Sequence, residues 1–300
     1  MTPVYSLQKT QSIGDISVWG KLEFRNPTGT HKDRSFAYWI SLCRMNGVKE
    51  LAIASSGNSA ISAAAYCKLA NIRLHVFIST KLAKEKLARL QSFDNIQIYQ
   101  SALPRKESVQ FSQKNNIPNL LASKHEEGIE GYKTISFELR DQLPDTKRIF
   151  IPTSSGATLQ GIYNGYKVLG CEVPELHIVQ TSKVHTIAQE FSKDFIEEKE
   201  SLATAIVDRV APRKKTVANI VRATGGNGYV IFNQELENAA KYFEGCEFKP
   251  GWQSVLAFAG FLKWKEKAQP LGEAGQSVCL MTDLLYTDEV DKYDGQDKTK

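Results

Sequence analysis

The feature that most constrains the fold of this chain is an alternation of short apolar runs with longer helix-forming segments. The run LAIAS (51–55) is followed at once by the alanine-rich segment SAISAAAYCKLA (59–70). Strand, helix and strand at this spacing predict parallel sheets with helices on both faces. The other predicted strands are RLHVFIS (73–79), NIQIYQ (95–100), KRIFIPT (147–153), ELHIVQT (175–181) and SVCLMTD (277–283).

The predicted elements fall into two groups. The strongest strand–helix patterns lie at 51–100 and 147–181, and the polar stretch 101–130 between them has a weaker pattern. This separation predicts two α/β domains rather than one continuous sheet. Ligands of such folds bind at the carboxyl ends of the strands, so the loops that leave a strand and start a helix are the ones of interest.

Composition narrows the classes of partner. The 300 residues are 42% hydrophobic, which is enough to bury one large core or two moderate ones. The formal net charge of +5 is mild and dispersed, so it argues weakly for an anionic ligand and against nucleic acid. No apolar run approaches the ~18 residues of a membrane span, so no membrane partner is expected. Five cysteines without a CxxC pair predict a reduced, cytoplasmic protein, and no metal site is predicted.

Two of the strand-to-helix loops suit an anion. The loop SSGNS (55–59) and the loop TSSGATLQG (153–161) both place serine hydroxyls and a glycine at the start of a predicted helix. Backbone N–H groups in a first helical turn have no helical partner, and the helix dipole favours negative charge there. Taken alone, each loop also fits an ordinary capped turn. Neither GxGxxG nor GxxxxGK[ST] is present, so a dinucleotide site and a P-loop are not predicted.

Lys32 stands out in the stretch NPTGTHKDR (26–34). Pro27 and Gly29 predict a turn, and Thr30 or His31 is expected to start the helix that continues through FAYWISLCRM (36–45). A lysine in a first turn sits at the end of the dipole that disfavours its charge. A lysine held neutral is the nucleophile that a Schiff base needs, although a plain solvated lysine also fits the pattern.

Taken together, these stretches resemble the fold-type II family of pyridoxal-phosphate (PLP) enzymes, the tryptophan synthase β-like group. The similarity is collinear over roughly residues 20–285. It is closest to threonine synthases, because NPTGTHKDR is similar to their NPTGSFKDR signature. The other similar segments are SSGNSAISAAAY, EGIEGYKTISFELRDQL, PTSSGATLQGIYNGYK, KPGWQSVLAFAG and CLMTD.

The resemblance implies a fold of two α/β domains, each a mostly parallel twisted sheet flanked by helices. It implies a large PLP-binding domain of residues 1–45 and 136–300, and a small mobile domain of residues 46–135. It also suggests a homodimer.

The resemblance further assigns roles to individual residues. Lys32 would form a Schiff base with pyridoxal 5′-phosphate and would later move the α-proton of the substrate. Asn58 would bind the 3′ oxygen of the cofactor, and the substrate carboxylate would be held by Ser55, Ser56 and Ser59.

The remaining implied roles concern the phosphate and the ring of the cofactor. Thr282, with its neutral hydroxyl, would face the pyridine nitrogen, which suits elimination and replacement better than transamination. The phosphate would be cradled by Ser154, Ser155, Gly156, Ala157 and Thr158.

The reaction that the resemblance implies is elimination or replacement on an amino acid. In the threonine synthase-like form, a lyase converts O-phosphohomoserine to threonine and phosphate. A β-replacement or β-elimination on an activated serine, as in cysteine synthases or serine/threonine dehydratases, stays open. So does a non-catalytic relative that binds PLP or an amino acid. The segment after Thr282, which begins Asp283-Leu284-Leu285, departs from the glycine-rich stretch usual in threonine synthases.

Overall fold

The computed structural model describes residues 1–10, 17–80, 82, 84–121, 125–193, 195–267 and 275–285. The strands, numbered along the chain, are β1 (Val4–Ser6), β2 (Val18–Leu22), β3 (Glu50–Ala54), β4 (Arg73–Ser79), β5 (Ile96–Ser101), β6 (Thr146–Pro152), β7 (Glu175–Thr181), β8 (Gly228–Ile231) and β9 (Gln276–Met281). The α-helices are α1 (Lys32–Met45), α2 (Asn58–Ala70), α3 (Lys84–Gln91), α4 (Pro104–Asn115), α5 (Glu127–Glu130), α6 (Lys133–Gln142), α7 (Ala157–Leu169), α8 (Lys214–Ala223), α9 (Asn233–Ala240) and α10 (Trp252–Lys267). Short 3₁₀ turns occupy Leu7–Thr10, Glu23–Arg25, Ala188–Glu190 and Lys241–Phe243.

The chain forms two compact units. Residues 1–25 and 133–300 make the first, and residues 26–132 make the second. Helix α1, which the sequence analysis gave to the large domain, packs against α2 within the second unit. The domain boundaries of the sequence analysis, and the mobility expected of residues 46–135, stay predictions.

The first unit is built on a sheet whose described strands follow the order β1-β2-β9-β6-β7-β8. Strand β1 is antiparallel to β2, and the other neighbours are parallel. The carboxyl ends of β2, β9, β6, β7 and β8 therefore meet at one edge of the sheet. Helix α10 packs on this sheet and buries Trp252, Phe258 and Phe261, while Phe150 of β6 meets Phe261 edge-on at 5.7 Å.

A buried lysine joins β2 to α6 in this unit. The side chain of Lys21 is fully buried, and Nζ lies 2.5 Å from Glu138 Oε2. The same ammonium donates to Gln142 Oε1 and to the carbonyl oxygen of Thr2, each at 2.7 Å. Removing a charge from water is costly unless it is paired and hydrogen-bonded, and here both conditions hold.

The second unit is a parallel sheet in the order β3-β4-β5. Its core joins Phe36 and Ile40 of α1 to Ile53 and Val76 of the strands. Helix α2 is rich in alanine, the best helix former, and it ends at Asn71 in the left-handed conformation (φ 56°).

The predicted strands are confirmed within a residue or two, and so is the start of a helix at His31, which caps α1. Helix α3 follows β4, and positions 81 and 83 between them lie outside the described residues. Strands β1, β2 and β8 were not predicted. None of the helices described here is long and apolar enough to cross a membrane.

Candidate active site

A buried carboxylate organises the turn that carries Lys32. Asp33, 2% exposed, accepts hydrogen bonds from the Thr28 N–H at 2.7 Å and from the Thr28 hydroxyl. Gly29, at φ 83°, closes the turn by donating to the Asn26 carbonyl oxygen at 2.9 Å. Asp33 is thus a structural group, and it presents Lys32, half-buried, as the first residue of α1.

The same carboxylate brings the starts of α1 and α2 together. The hydroxyl of Ser62, in the second turn of α2, donates to Asp33 Oδ1 at 2.6 Å. Burial, followed by the nearby negative charge of Asp33, raises the pKa of Tyr66 to about 12, with Arg34 opposing. The structure therefore places the Lys32 turn beside the first two turns of the helix that follows the SSGNS loop.

The SSGNS loop itself is half-buried. Gly57 caps α2, and a Cβ added to it would meet nothing within 4 Å, so the space beside this backbone is open. Its carbonyl oxygen accepts from the Ala60 N–H at 2.9 Å, and its own N–H donates to Ser55 Oγ at 3.4 Å. The four predicted polar residues of this loop lie at or just before the start of α2 and are all half-buried: Ser55, Ser56, Asn58 and Ser59.

Tyr132 contacts Lys32, and the sequence analysis gave it no role. Its hydroxyl lies 3.5 Å from Lys32 Nζ, and Nζ lies 5.9 Å from the centre of its ring. The ring of His31 stacks on the same tyrosine, with centroids 5.8 Å apart and planes 26° apart. The one sequence signal was the glycine before it, because Gly131 allows the chain to lie directly on α1.

The second predicted anion loop belongs to the first unit and joins β6 to α7. Gly156 caps α7 with φ 90°, and an added Cβ would lie 2.5 Å from Val217 Cγ2. Both observations require glycine here. Ala157 and Thr158 open the helix and are buried, and the Ala157 N–H faces Ser155 Oγ at 3.5 Å.

Ser154 is engaged by the protein itself. Its hydroxyl donates to Asp208 Oδ2 at 2.9 Å and accepts from the backbone N–H groups of Val207 and Asp208, at 3.1 and 3.2 Å. Ser154 therefore ties the loop to the 207–208 segment. The groups that can face a ligand are those of Ser155 and of the first turn of α7.

Thr282 follows β9 and is 3% exposed. Because β9 and β6 are parallel neighbours, Thr282 and the β6–α7 loop lie at the same edge of the sheet. The Thr282 hydroxyl faces the carboxylate Oδ1 of Asp283 at 3.3 Å, and the Ser254 hydroxyl contacts the same oxygen at 3.0 Å. Asp283 is buried, and a Cβ on Gly251 would come within 2.8 Å of its carboxylate oxygens, so this carboxylate is tightly enclosed.

Comparison with known proteins defines the class. Residues 1–283 match the family described as "Pyridoxal-phosphate dependent enzyme". The chain belongs to this family, with the fold of its type II members and pyridoxal 5′-phosphate as its cofactor.

Threonine synthases are among the relatives with similar sequences. A threonine synthase of Methanocaldococcus jannaschii is 29% identical over 304 residues, covering 94% of this chain and 73% of that protein. A threonine synthase of Halalkalibacterium halodurans is 30% identical over 299 residues, covering 94% and 81%.

Solved structures show the same fold. Maize serine racemase superposes with a TM-score of 0.81 at 17% identity, covering 97% of this chain and 90% of the other. A fungal L-serine ammonia-lyase from Rhizomucor miehei gives 0.82 at 16% identity, covering 98% of both chains.

The residues present suit this cofactor. A phosphate monoester needs clustered donors, which the Ser155 hydroxyl and the first turn of the thirteen-residue helix α7 provide. The aldehyde needs an accessible primary amine, which Lys32 provides at the start of α1. Among the described residues, no group of three or more His, Cys, Asp or Glu side chains is placed to hold a metal ion.

Proposed function

We propose that this protein is a threonine synthase-like lyase that converts O-phosphohomoserine and water to threonine and phosphate. The observation that carries the proposal is the position of Lys32. Lys32 is half-buried at the start of α1, on a turn fixed by Asp33 and joined through Ser62 to the first turns of α2. The threonine synthases among the relatives, at 29–30% identity over most of the chain, support the choice of substrate.

Each residue has a task in this proposal. Lys32 would hold PLP through its ε-amine and would accept the proton from the substrate Cα. Asn58 binds the 3′ oxygen of PLP, and the substrate carboxylate is held by Ser55, Ser56 and Ser59 with the N–H groups at the start of α2.

The phosphate and ring of PLP are held by residues of the first unit. The β6–α7 loop binds the phosphate, with Ser155, Gly156, Ala157 and Thr158 as direct contacts and Ser154 bracing the loop through Asp208. Thr282 faces the pyridine nitrogen. Bound PLP supplies the electron sink that accepts the charge left on the substrate when Cα loses its proton.

A second candidate is β-elimination or β-replacement on serine or an activated serine. The segment after Thr282 favours this candidate because it departs from threonine synthases. The enclosed carboxylate of Asp283 lies where their glycine-rich stretch would begin. A non-catalytic PLP-binding relative is the third candidate. We further propose that the protein is a cytoplasmic homodimer. Light scattering during gel filtration should then give a particle mass twice that of one chain.

Product analysis tests the function. The protein with PLP is incubated separately with O-phosphohomoserine, O-phosphoserine, O-acetylserine and L-serine, and phosphate, acetate, ammonia and new amino acids are measured. We expect equal amounts of threonine and phosphate from O-phosphohomoserine, and none with Lys32→Ala. Lys49→Ala, which changes an exposed lysine, serves as the control. Ammonia or acetate from the serine substrates alone would favour the second candidate, and no turnover with bound PLP the third.

A further inference from the structure

We propose that Tyr132 is a positioning residue that holds the ε-amine of Lys32 through its phenolic hydroxyl. The inference rests on the proposed role of Lys32 in binding PLP, and it assigns Tyr132 as the partner of the Lys32 amine. Tyr132 Oη lies 3.5 Å from Lys32 Nζ, and both residues belong to the second unit. The two residues are 100 positions apart in the sequence, so the fold and not local chain geometry brings them together.

The tyrosine is held rigidly against α1. A Cβ on Gly131 would lie 1.9 Å from the carbonyl oxygen of Arg34, and one on Gly128 would lie 2.8 Å from Ser35 Oγ. Backbone therefore lies directly on the first turn of α1 on the N-terminal side of Tyr132. The Tyr132 N–H also donates to the Ile129 carbonyl oxygen at 3.0 Å.

The ring is fixed as well. Tyr132 is only 2% exposed, and the ring of His31 stacks on it at 5.8 Å. A buried tyrosine hydroxyl normally has a hydrogen-bond partner, and the partner here is the amine of Lys32. Side chains whose rotamers are locked by packing hold a reacting group in place at a small entropic cost.

A hydroxyl suits both states of the amine. In the proposed reaction the Cα–H bond of the substrate breaks, its electron pair stays on carbon, and the proton joins the lone pair of Lys32 Nζ. A tyrosine hydroxyl can donate to a neutral amine and accept from an ammonium. It therefore keeps Nζ in one place before and after the transfer, and Tyr132 itself neither gains nor loses a proton.

The test measures capture of PLP by the apo-protein, without any turnover. PLP is mixed with apo-protein at a series of pH values, and the bond to Lys32 is trapped with borohydride and quantified by peptide mass spectrometry. Only the neutral amine attacks the aldehyde, so the capture rate follows the protonation of Lys32. Tyr132→Phe keeps the ring and removes the hydroxyl. Tyr38→Phe, which changes a tyrosine of α1 that is 40% exposed, is the control.

A hydrogen bond to an ammonium is charge-assisted and stronger than one to a neutral amine. Loss of the hydroxyl is therefore expected to move the midpoint of the capture profile to lower pH by about one unit. The plateau rate is also expected to fall several-fold. Tyr38→Phe is expected to match the wild type. A loss of packing alone would lower the rate at every pH without moving the midpoint.

A second variant changes the acidity of the hydroxyl instead of removing it. It also provides a test if Tyr132→Phe folds poorly. Tyr132→3,5-difluorotyrosine keeps the shape of the ring but makes the hydroxyl more acidic. Its phenolate would stabilise the ammonium, so the midpoint is expected to move to higher pH. If the midpoints of both variants equal that of the wild type, Tyr132 does not position Lys32. The proposed binding of PLP by Lys32 would be unaffected by that result. Failure of the wild type to capture PLP at Lys32 would overturn the proposed function together with this inference.

Discussion

Gly156→Ala is expected to destabilise the protein and weaken PLP binding, because Gly156 is required for two separate reasons. Its φ of 90° is a conformation that costs an L-residue about 1–2 kcal/mol. An added Cβ would also lie 2.5 Å from Val217 Cγ2 and 3.3 Å from Val217 Cβ, in a core where overpacking costs about 1–3 kcal/mol. The expected loss in the free energy of unfolding is therefore about 2–5 kcal/mol.

Gly170 provides the matched control at the other end of the same helix. It also has a positive φ, 65°, but a Cβ there would meet nothing within 4 Å. Gly170→Ala should cost only the backbone part, about 1–2 kcal/mol. The difference between the two variants then measures the overlap with Val217.

The assay is equilibrium urea unfolding followed by circular dichroism, with fluorescence titration of PLP on the same samples. In a Val217→Ala background, which removes the methyl groups in question, Gly156→Ala should cost about 1–3 kcal/mol less than in the wild type. PLP affinity should fall for Gly156→Ala and not for Gly170→Ala. Equal losses of stability in the two glycine variants, or an unchanged loss for Gly156→Ala in the Val217→Ala background, would show that contact with Val217 does not require glycine at this position.

Two further predictions concern buried charges. Lys21→Met should lower the free energy of unfolding by about 3–5 kcal/mol, since it leaves the carboxylate of Glu138 without its ammonium. Lys68→Met, at a half-exposed lysine, should leave the urea midpoint unchanged. Burial lowers the pKa of His177 below 6.5, and the hydrogen bond to Glu175 opposes this shift. Burial acts to raise the pKa of Glu175, but His177 and Arg148 outweigh this effect, so the pKa of Glu175 is lowered overall. Below about pH 6.5 the unfolded chain therefore binds more protons at His177 than the folded protein does, so stability should fall as the pH drops, by up to ~1.4 kcal/mol per pH unit, and His177→Gln should flatten the slope between pH 7 and 5.

The parts of the fold that the sequence could predict are those with a local pattern. The strands β3, β4, β6, β7 and β9 are short segments rich in apolar residues, and the structure has them within two residues of the predicted bounds. Strand β2 was missed because its residues VWGKL include a glycine and a lysine. Lys21 is tolerated in a buried strand because its ammonium pairs with Glu138, 117 residues away, and donates to Gln142 and to the Thr2 carbonyl oxygen.

The same distinction separates the predicted from the unpredicted parts of the site. Lys32 and the two serine–glycine loops carry local signals, a turn before a helix and small polar residues after a strand. Tyr132 contacts Lys32 from 100 residues away, and Asp208 accepts a hydrogen bond from Ser154 from 54 residues away. No periodicity in the sequence encodes such pairs, since they depend on how the loops pack.

Asp33 and Arg34 follow Lys32 directly in the sequence, and the structure separates their roles. Asp33 is buried and accepts from Thr28 and Ser62, while the backbone of Arg34 lies directly beneath Gly131. Asp33 therefore stabilises the turn that carries Lys32, and Arg34 belongs to the surface of α1 on which the segment before Tyr132 packs.

The most direct test of the proposed role of Lys32 is the covalent attachment of PLP to this residue. Wild-type protein and Lys32→Ala are mixed with PLP, their visible absorption spectra are recorded before and after borohydride, and the reduced proteins are digested and mapped by mass spectrometry. We expect a visible band in the wild type that reduction removes, with the PLP mass fixed on the peptide that contains Lys32 and absent from the variant. A band retained in Lys32→Ala, or PLP fixed on another lysine in the wild type, would contradict it.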